Sequence, residues 1–145
     1  MSKSASTVKL AVPTEAELQR DVCDYIRLKW PDAVFNSDGA GNYVSSATAA
    51  MNTALRSSSG YPDLFVAVPR GGFHGLFMEL KREGTKLHKV DGSWVNDHVA
   101  QQAEVLQRLD DAGYDAWFAI GWDMAIEIVE EYFALTDPSS SAGKA

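Results

Sequence analysis

The chain has 145 residues, 46% of them hydrophobic and 23% charged, with a formal net charge of −7, which suits one soluble domain with a real core. No apolar run approaches the roughly 20 residues of a membrane span, and a single cysteine, Cys23, leaves no disulfide and no cysteine metal cluster. The acidic balance argues against unaided, nonspecific nucleic-acid binding, although Lys81, Arg82, Lys86 and Lys89 gather in one short stretch.

Residues 1–12 lack a signal-peptide apolar core and read as a loose leader, 13–136 as a single domain, and 137–145 (DPSSSAGKA) as a disordered low-complexity tail. With one thiol and no targeting segment, the expectation is a cytoplasmic protein with no membrane attachment. The segment PTEAELQRDVCDYIRLKWP reads as a helix: Thr14 is its N-cap, Glu15 and Glu17 suit its first turn, Pro31 stops it, and Leu18, Val22, Tyr25 and Ile26 form its apolar stripe. A short strand follows at 33–37 (AVFNS), then a loop (DGAGNY) and a short Ala-rich helix (SSATAAMNTALRSSS). Two β-rich runs, DLFVAVP and FHGLFMELK, flank Arg70-Gly71-Gly72 as a hairpin. Asp91-Gly92 signals a second hairpin within 87–98. The segment VAQQAEVLQRLDDAG is a helix capped by Gly113, YDAWFAIG a strand, and DMAIEIVEEYFAL a closing helix. The order α, β, (α), β, β, α, β, α predicts an α/β fold, a mixed β-sheet flanked by helices on both faces.

Three charges sit at corresponding ends of the first hairpin. Glu79 and Lys81, two residues apart on a strand, share a face. With the turn at Arg70–Gly72, Asp63 lies opposite Glu79, their Cβ atoms about 5 Å apart. Two carboxylates at that distance repel by about 3 kcal/mol at an effective dielectric near 20. Lys81 offsets this in one reading, a strand-end ion cluster without function; a divalent cation offsets it in the other. Two further polar residues intrude on apolar helical stripes. At 100° per residue Glu15 falls within about 20° of Val22 and Ile26, whereas Glu17 is about 140° from Val22. Gln102 falls about 20° from Leu109 in the stripe of Val99, Val105 and Leu106. The bland alternatives are a dipole contact for Glu15 and a backbone hydrogen bond for Gln102. Carboxylate oxygens suit Mg²⁺ or Mn²⁺ rather than zinc. His74, His88 and His98 show no ligand spacing and read as structural or exposed, and no phosphate-binding loop or other small-molecule cofactor motif is present.

The segments EAELQ, SGYPDL, MELK, the Gln102 helix ending at Gly113, and IGWDMAIEIVEEYF, in that order, resemble the VRR-NUC (virus-type replication-repair nuclease) family of the PD-(D/E)XK nuclease superfamily. The resemblance spans about residues 14–134, with an insertion at HKVDGSWVNDH as its main departure. It implies a restriction-endonuclease-like αβββαβ core and a divalent-metal-dependent DNA endonuclease of phage or bacterial replication and repair, with junctions or flaps as substrates. It further implies Mg²⁺ or Mn²⁺ held by Asp63, Glu79, the Leu80 carbonyl and Glu15, directly or through water. Lys81 would orient or deprotonate the attacking water, and Gln102 would position Lys81, the water or the phosphate. Arg56, Arg82 and Lys86 are the candidate DNA contacts, and a homodimer is expected. The competing expectation is a catalytically silent nuclease-fold module that binds DNA or a partner protein.

Overall fold

The computed structural model describes residues 10–38, 45–57 and 59–141. Most of the leader, most of the DGAGNY loop and residues 142–145 lie outside them. The elements are α1 (Glu15–Lys29), β1 (Phe35–Ser37), α2 (Ser46–Ala54), β2 (Leu64–Val66), β3 (Leu76–Lys81), α3 (Asp97–Asp111), β4 (Asp115–Ile120), α4 (Gly121–Ala134) and the short α5 (Pro138–Ser141). They form a mixed sheet in the order β1-β2-β3-β4, antiparallel at the first two pairings and parallel at the third. The alternation of apolar residues thus yields the α/β architecture expected. The helix α5 falls within the tail read as disordered: Asp137 accepts from the backbone N–H and hydroxyl of Ser139, a local cap that low complexity conceals.

All six residues of β3 are buried, because this strand has neighbours on both edges and helices on both faces. Leu76, Met78 and Leu80 join Leu64 and Val66 in the main core with Leu18, Val22, Cys23 and Ile26 of α1 and Ala125, Val129 and Tyr132 of α4. Cys23 is therefore a core residue, as its type suggests. The alternate residues point to the other face. There Phe77 stacks on Phe65 with centroids 4.3 Å apart and meets Tyr114 edge-on at 5.1 Å. Glu79 and Lys81 continue that second face toward the strand's end, under α3.

The register places Phe65 opposite Phe77 and Leu64 opposite Met78, so Asp63, one residue before β2, lies level with Glu79. The hairpin closes differently from the expected turn. Arg70 pairs with Phe73 across Gly71 and Gly72, both at positive φ (56° and 86°), a two-residue turn only glycines take readily. The extra residue is absorbed after β2, where 67–69 face only 74 and 75; opposite it, a Cβ on Gly75 would lie 2.7 Å from the Val66 carbonyl oxygen. In the second hairpin His88 pairs with Trp94, and the turn runs Lys89–Gly92 rather than over Asp91-Gly92 alone. Among the described residues no helix is long and apolar enough to cross a membrane.

Candidate active site

The first part of the site comes from the loop entering β2. Ser59 Oγ donates to Gln101 Oε1 at 2.9 Å, and a Cβ on Gly60 would stand 2.8 Å from the Gln101 carbonyl oxygen. Only glycine lets this loop lie against the second turn of α3. The buried Pro62 follows, and Asp63 is then aimed along the sheet end. Its backbone carbonyl accepts from the Asp38 N–H at 2.7 Å and from Ser37 Oγ at 3.0 Å, which fixes it to the end of β1. Its side chain turns the other way, where Oδ2 accepts from the Leu80 N–H at 2.9 Å.

The central strand supplies Glu79 and Lys81, 4% and 7% exposed. Lys81 Nζ stands 3.8 Å from Glu79 Oε1. From above, Gln102 of α3 donates its Nε2 to the same Oε1 at 2.8 Å. Gln102 is itself 5% exposed, as its place in the apolar stripe requires. Two atoms stay unpartnered in this enclosure: Glu79 Oε2 and Gln102 Oε1. Gln102 Oε1 is an acceptor facing no donor among the described residues, at a cost of about 1–3 kcal/mol, whereas the Glu79 carboxyl also shares a side-chain hydrogen bond with Asp63.

The charges of the pair are in conflict. Burial and then the Asp63 carboxylate push Glu79 up to about 9, with the attraction of Lys81 opposing and the more distant Glu15 adding to the rise. Asp63 is also raised, first by burial; its contact with Glu79, the Leu80 N–H and Lys81 pull it down while Glu15 raises it. Two carboxylates and one ammonium at close quarters hold a proton between them at neutral pH. A divalent cation bound at such a pair would displace that proton. Among the described residues no three His, Cys, Asp or Glu side chains close around one point. The donor set is two carboxylates, which fits Mg²⁺, an ion that keeps several waters and takes one or two carboxylates plus substrate phosphate.

Glu15 is placed differently from the periodicity reading. It is exposed at the first position of α1, since burial of that stripe begins only at Leu18. Its charge still acts on both Asp63 and Glu79. Glu17 instead closes the start of the helix. Its carboxylate accepts from the Thr14 N–H at 3.3 Å while Thr14 Oγ1 accepts from the Glu17 N–H at 3.1 Å. The Thr-x-x-Glu spacing announces this capping box. The basic residues do not converge on the acids as a group. Arg56 forms an ion pair with Asp38, tying the end of α2 to the exit of β1. Arg82 is exposed and donates to the Val12 carbonyl at 3.2 Å. Lys86 is exposed and makes no ion pair among the described residues. His98, read from the sequence as structural or exposed, is exposed; the contact that reading does not give is with Gln102, one helical turn on, whose Nε2 lies 3.3 Å from His98 Nε2. The i, i+4 spacing to an inward-facing polar residue is the available signal. His88 stacks on Trp94 at 4.3 Å and His74 meets Tyr114 edge-on at 5.5 Å, both outside the site.

No family model matches the chain, and no curated protein matches it. Among solved structures, a chain described as a VRR_NUC domain protein aligns with 88% of this chain and 94% of its own, at 27% identity and a TM-score of 0.59.

Proposed function

From a VRR-NUC-like fold, that of a nuclease-family domain, we propose that this chain is a divalent-metal-dependent DNA endonuclease. The observation that carries the reading is the pair of half-buried Asp63 and buried Glu79, both raised in pKa, with the unpartnered acceptor Gln102 Oε1 beside them.

Asp63 and Glu79, with the Leu80 carbonyl and with Glu15 through water, would hold Mg²⁺ or Mn²⁺. The cation, when bound, lowers the pKa of a coordinated water and neutralises charge on the phosphoryl oxygens. Asp63 and Glu79 would give up their shared proton in favour of a bound cation. Lys81 Nζ, poised beside Glu79 Oε1, takes the phosphoryl oxygen as partner or orients the attacking water. Gln102 Oε1, an acceptor without a donor, receives a hydrogen of that water. Hydrolysis breaks the P–O3′ bond in this reading and leaves a 5′-phosphate. Lys86, exposed and unpaired among the described residues, and Arg82 are placed to meet flanking phosphates; Arg56, already paired, contributes by holding the loop.

The finer proposals are structure-specific cutting of junctions or flaps, a role in phage or bacterial replication and repair, cytoplasmic location and a homodimer. For the last, support comes from β4, which among the described residues has no neighbour on its outer edge in the four-stranded sheet and carries half-exposed Trp117. The silent-module alternative draws on the lack of a third converging acid among the described residues. The test is cleavage of end-labelled flaps, forks, four-way junctions and plain duplexes in Mg²⁺, with EDTA as control. Metal-dependent cutting with 5′-phosphate ends supports the reading. Binding without cutting in Mg²⁺ or Mn²⁺ establishes the silent module instead.

A further inference from the structure

We propose that His98 is a positioning residue that fixes the amide of Gln102, an inference that rests on the nuclease reading for its catalytic consequence. The start of α3 is held by Asn96, whose Oδ1 accepts from the Val99 N–H at 2.9 Å. That cap sets the orientation of the first turn, so His98 and Gln102, four residues apart, lie one above the other. Gln102 Nε2 stands 2.8 Å from Glu79 Oε1 and 3.3 Å from His98 Nε2.

An amide nitrogen carries two hydrogens and accepts none. Both hydrogens are therefore used, one on the carboxylate and one on the ring. The ring nitrogen must accept, which puts the imidazole proton on Nδ1. Turning the amide over would set Gln102 Oε1 against a carboxylate oxygen, acceptor against acceptor. With the Glu79 bond alone, the amide plane could still swing about that bond. The second bond, to His98, removes that freedom and fixes where Gln102 Oε1 lies. That oxygen is buried and unpartnered. Its fixed place defines where a hydrogen donor must sit, which in the nuclease reading is the attacking water. His98 contributes through Gln102 and needs no contact with the reacting atoms.

Two measurements test this. The first needs no activity: side-chain ¹⁵N shifts of His98 in the metal-free protein. The expected result is the Nδ1–H tautomer in the wild type and a swing toward Nε2–H, the form free imidazole side chains prefer, in Gln102→Leu. An Nε2–H tautomer in the wild type overturns the proposal. The second is single-turnover cleavage in Mg²⁺. His98→Leu is expected to lower the rate about tenfold, equivalent to about 1.4 kcal/mol, with the KM for DNA within about twofold. His98→Gln, which offers an acceptor at similar reach, is expected to recover the rate to within about twofold. In a Gln102→Leu background, His98→Leu is expected to add nothing. Equal impairment of the Leu and Gln variants, or a loss confined to KM, overturns the positioning role. A wild type that cuts no DNA yet shows the Nδ1–H tautomer refutes the nuclease reading and leaves the His98–Gln102 contact standing.

Discussion

Replacing Glu79 by Gln should stabilise the metal-free protein while destroying its proposed activity. Burial and Asp63 push Glu79 up to about 9 from an ordinary 4.5. At pH 7 the unfolded chain has lost this proton and the folded chain must take it back. Neutral pH lies about 2.5 pH units above 4.5, at about 1.36 kcal/mol per unit, so the penalty is about 3 kcal/mol. Coulomb repulsion between two carboxylates about 5 Å apart, at an effective dielectric of 20, gives the same magnitude. Glutamine keeps an acceptor for Gln102 and frees Asp63 to ionise against Lys81. A gain of about 2 kcal/mol survives imperfect repacking, or about 5–10 °C in Tm for a chain of this length. The sign of the pH dependence follows from the raised pKa. The stability of the wild type is full below about pH 4.5 and is lost as pH rises toward about 9. The advantage of Glu79→Gln should therefore be absent near pH 4 and grow through that window. Thermal melts in EDTA across pH 4–9 measure it, and Mg²⁺ should raise the Tm of the wild type only. A variant less stable at pH 8, or a difference that does not change with pH, refutes the reasoning.

Glu15→Gln should lower the cleavage rate at least about tenfold, or about 1.4 kcal/mol, and raise the Mg²⁺ needed, while Glu17→Gln leaves both within about twofold. Glu17→Ala should instead lower Tm by breaking the capping box, at about 1 kcal/mol, as a melt will register; the reverse pattern would mean that α1 presents its other face. Gly60→Ala should push the second turn of α3 away from the loop, since its Cβ would stand 2.8 Å from the Gln101 carbonyl oxygen, costing about 1–3 kcal/mol and most of the cleavage rate; a fully active, equally stable Gly60→Ala would show that the loop and α3 are not in the contact described. Ca²⁺ should support DNA binding in gel-shift assays but little cleavage, because its coordination is looser than that of Mg²⁺, and equal rates in the two metals would contradict the assigned site.

The sheet and the acid pair were legible because alternation dictates them. The register at Phe65 and Phe77 follows from which side chains must be buried, so it survives a misread turn. Gln102 was legible as a polar intruder on an apolar stripe. Glu15 was legible in direction but not in burial, because periodicity gives an angle around the helix and says nothing of how far the helix projects beyond the sheet. Pairings across long sequence separations were not legible. The Arg56–Asp38 ion pair joins two segments across the DGAGNY loop, and no local pattern announces it. His98 was hidden by its position: a histidine in the first turn of a helix looks like a surface residue until its neighbour is seen to turn inward.

The central claim is that Asp63, Glu79, Lys81 and Gln102 form one hydrolytic site. Its most direct test is the nicking of supercoiled plasmid by the wild type and by Lys81→Ala in Mg²⁺, with EDTA as the control and a circular dichroism spectrum of each protein as the fold check. The predicted result is nicking by the wild type in Mg²⁺ alone and none by a folded Lys81→Ala. Ordinary cleavage by Lys81→Ala, or cleavage by the wild type that persists in EDTA, would contradict it.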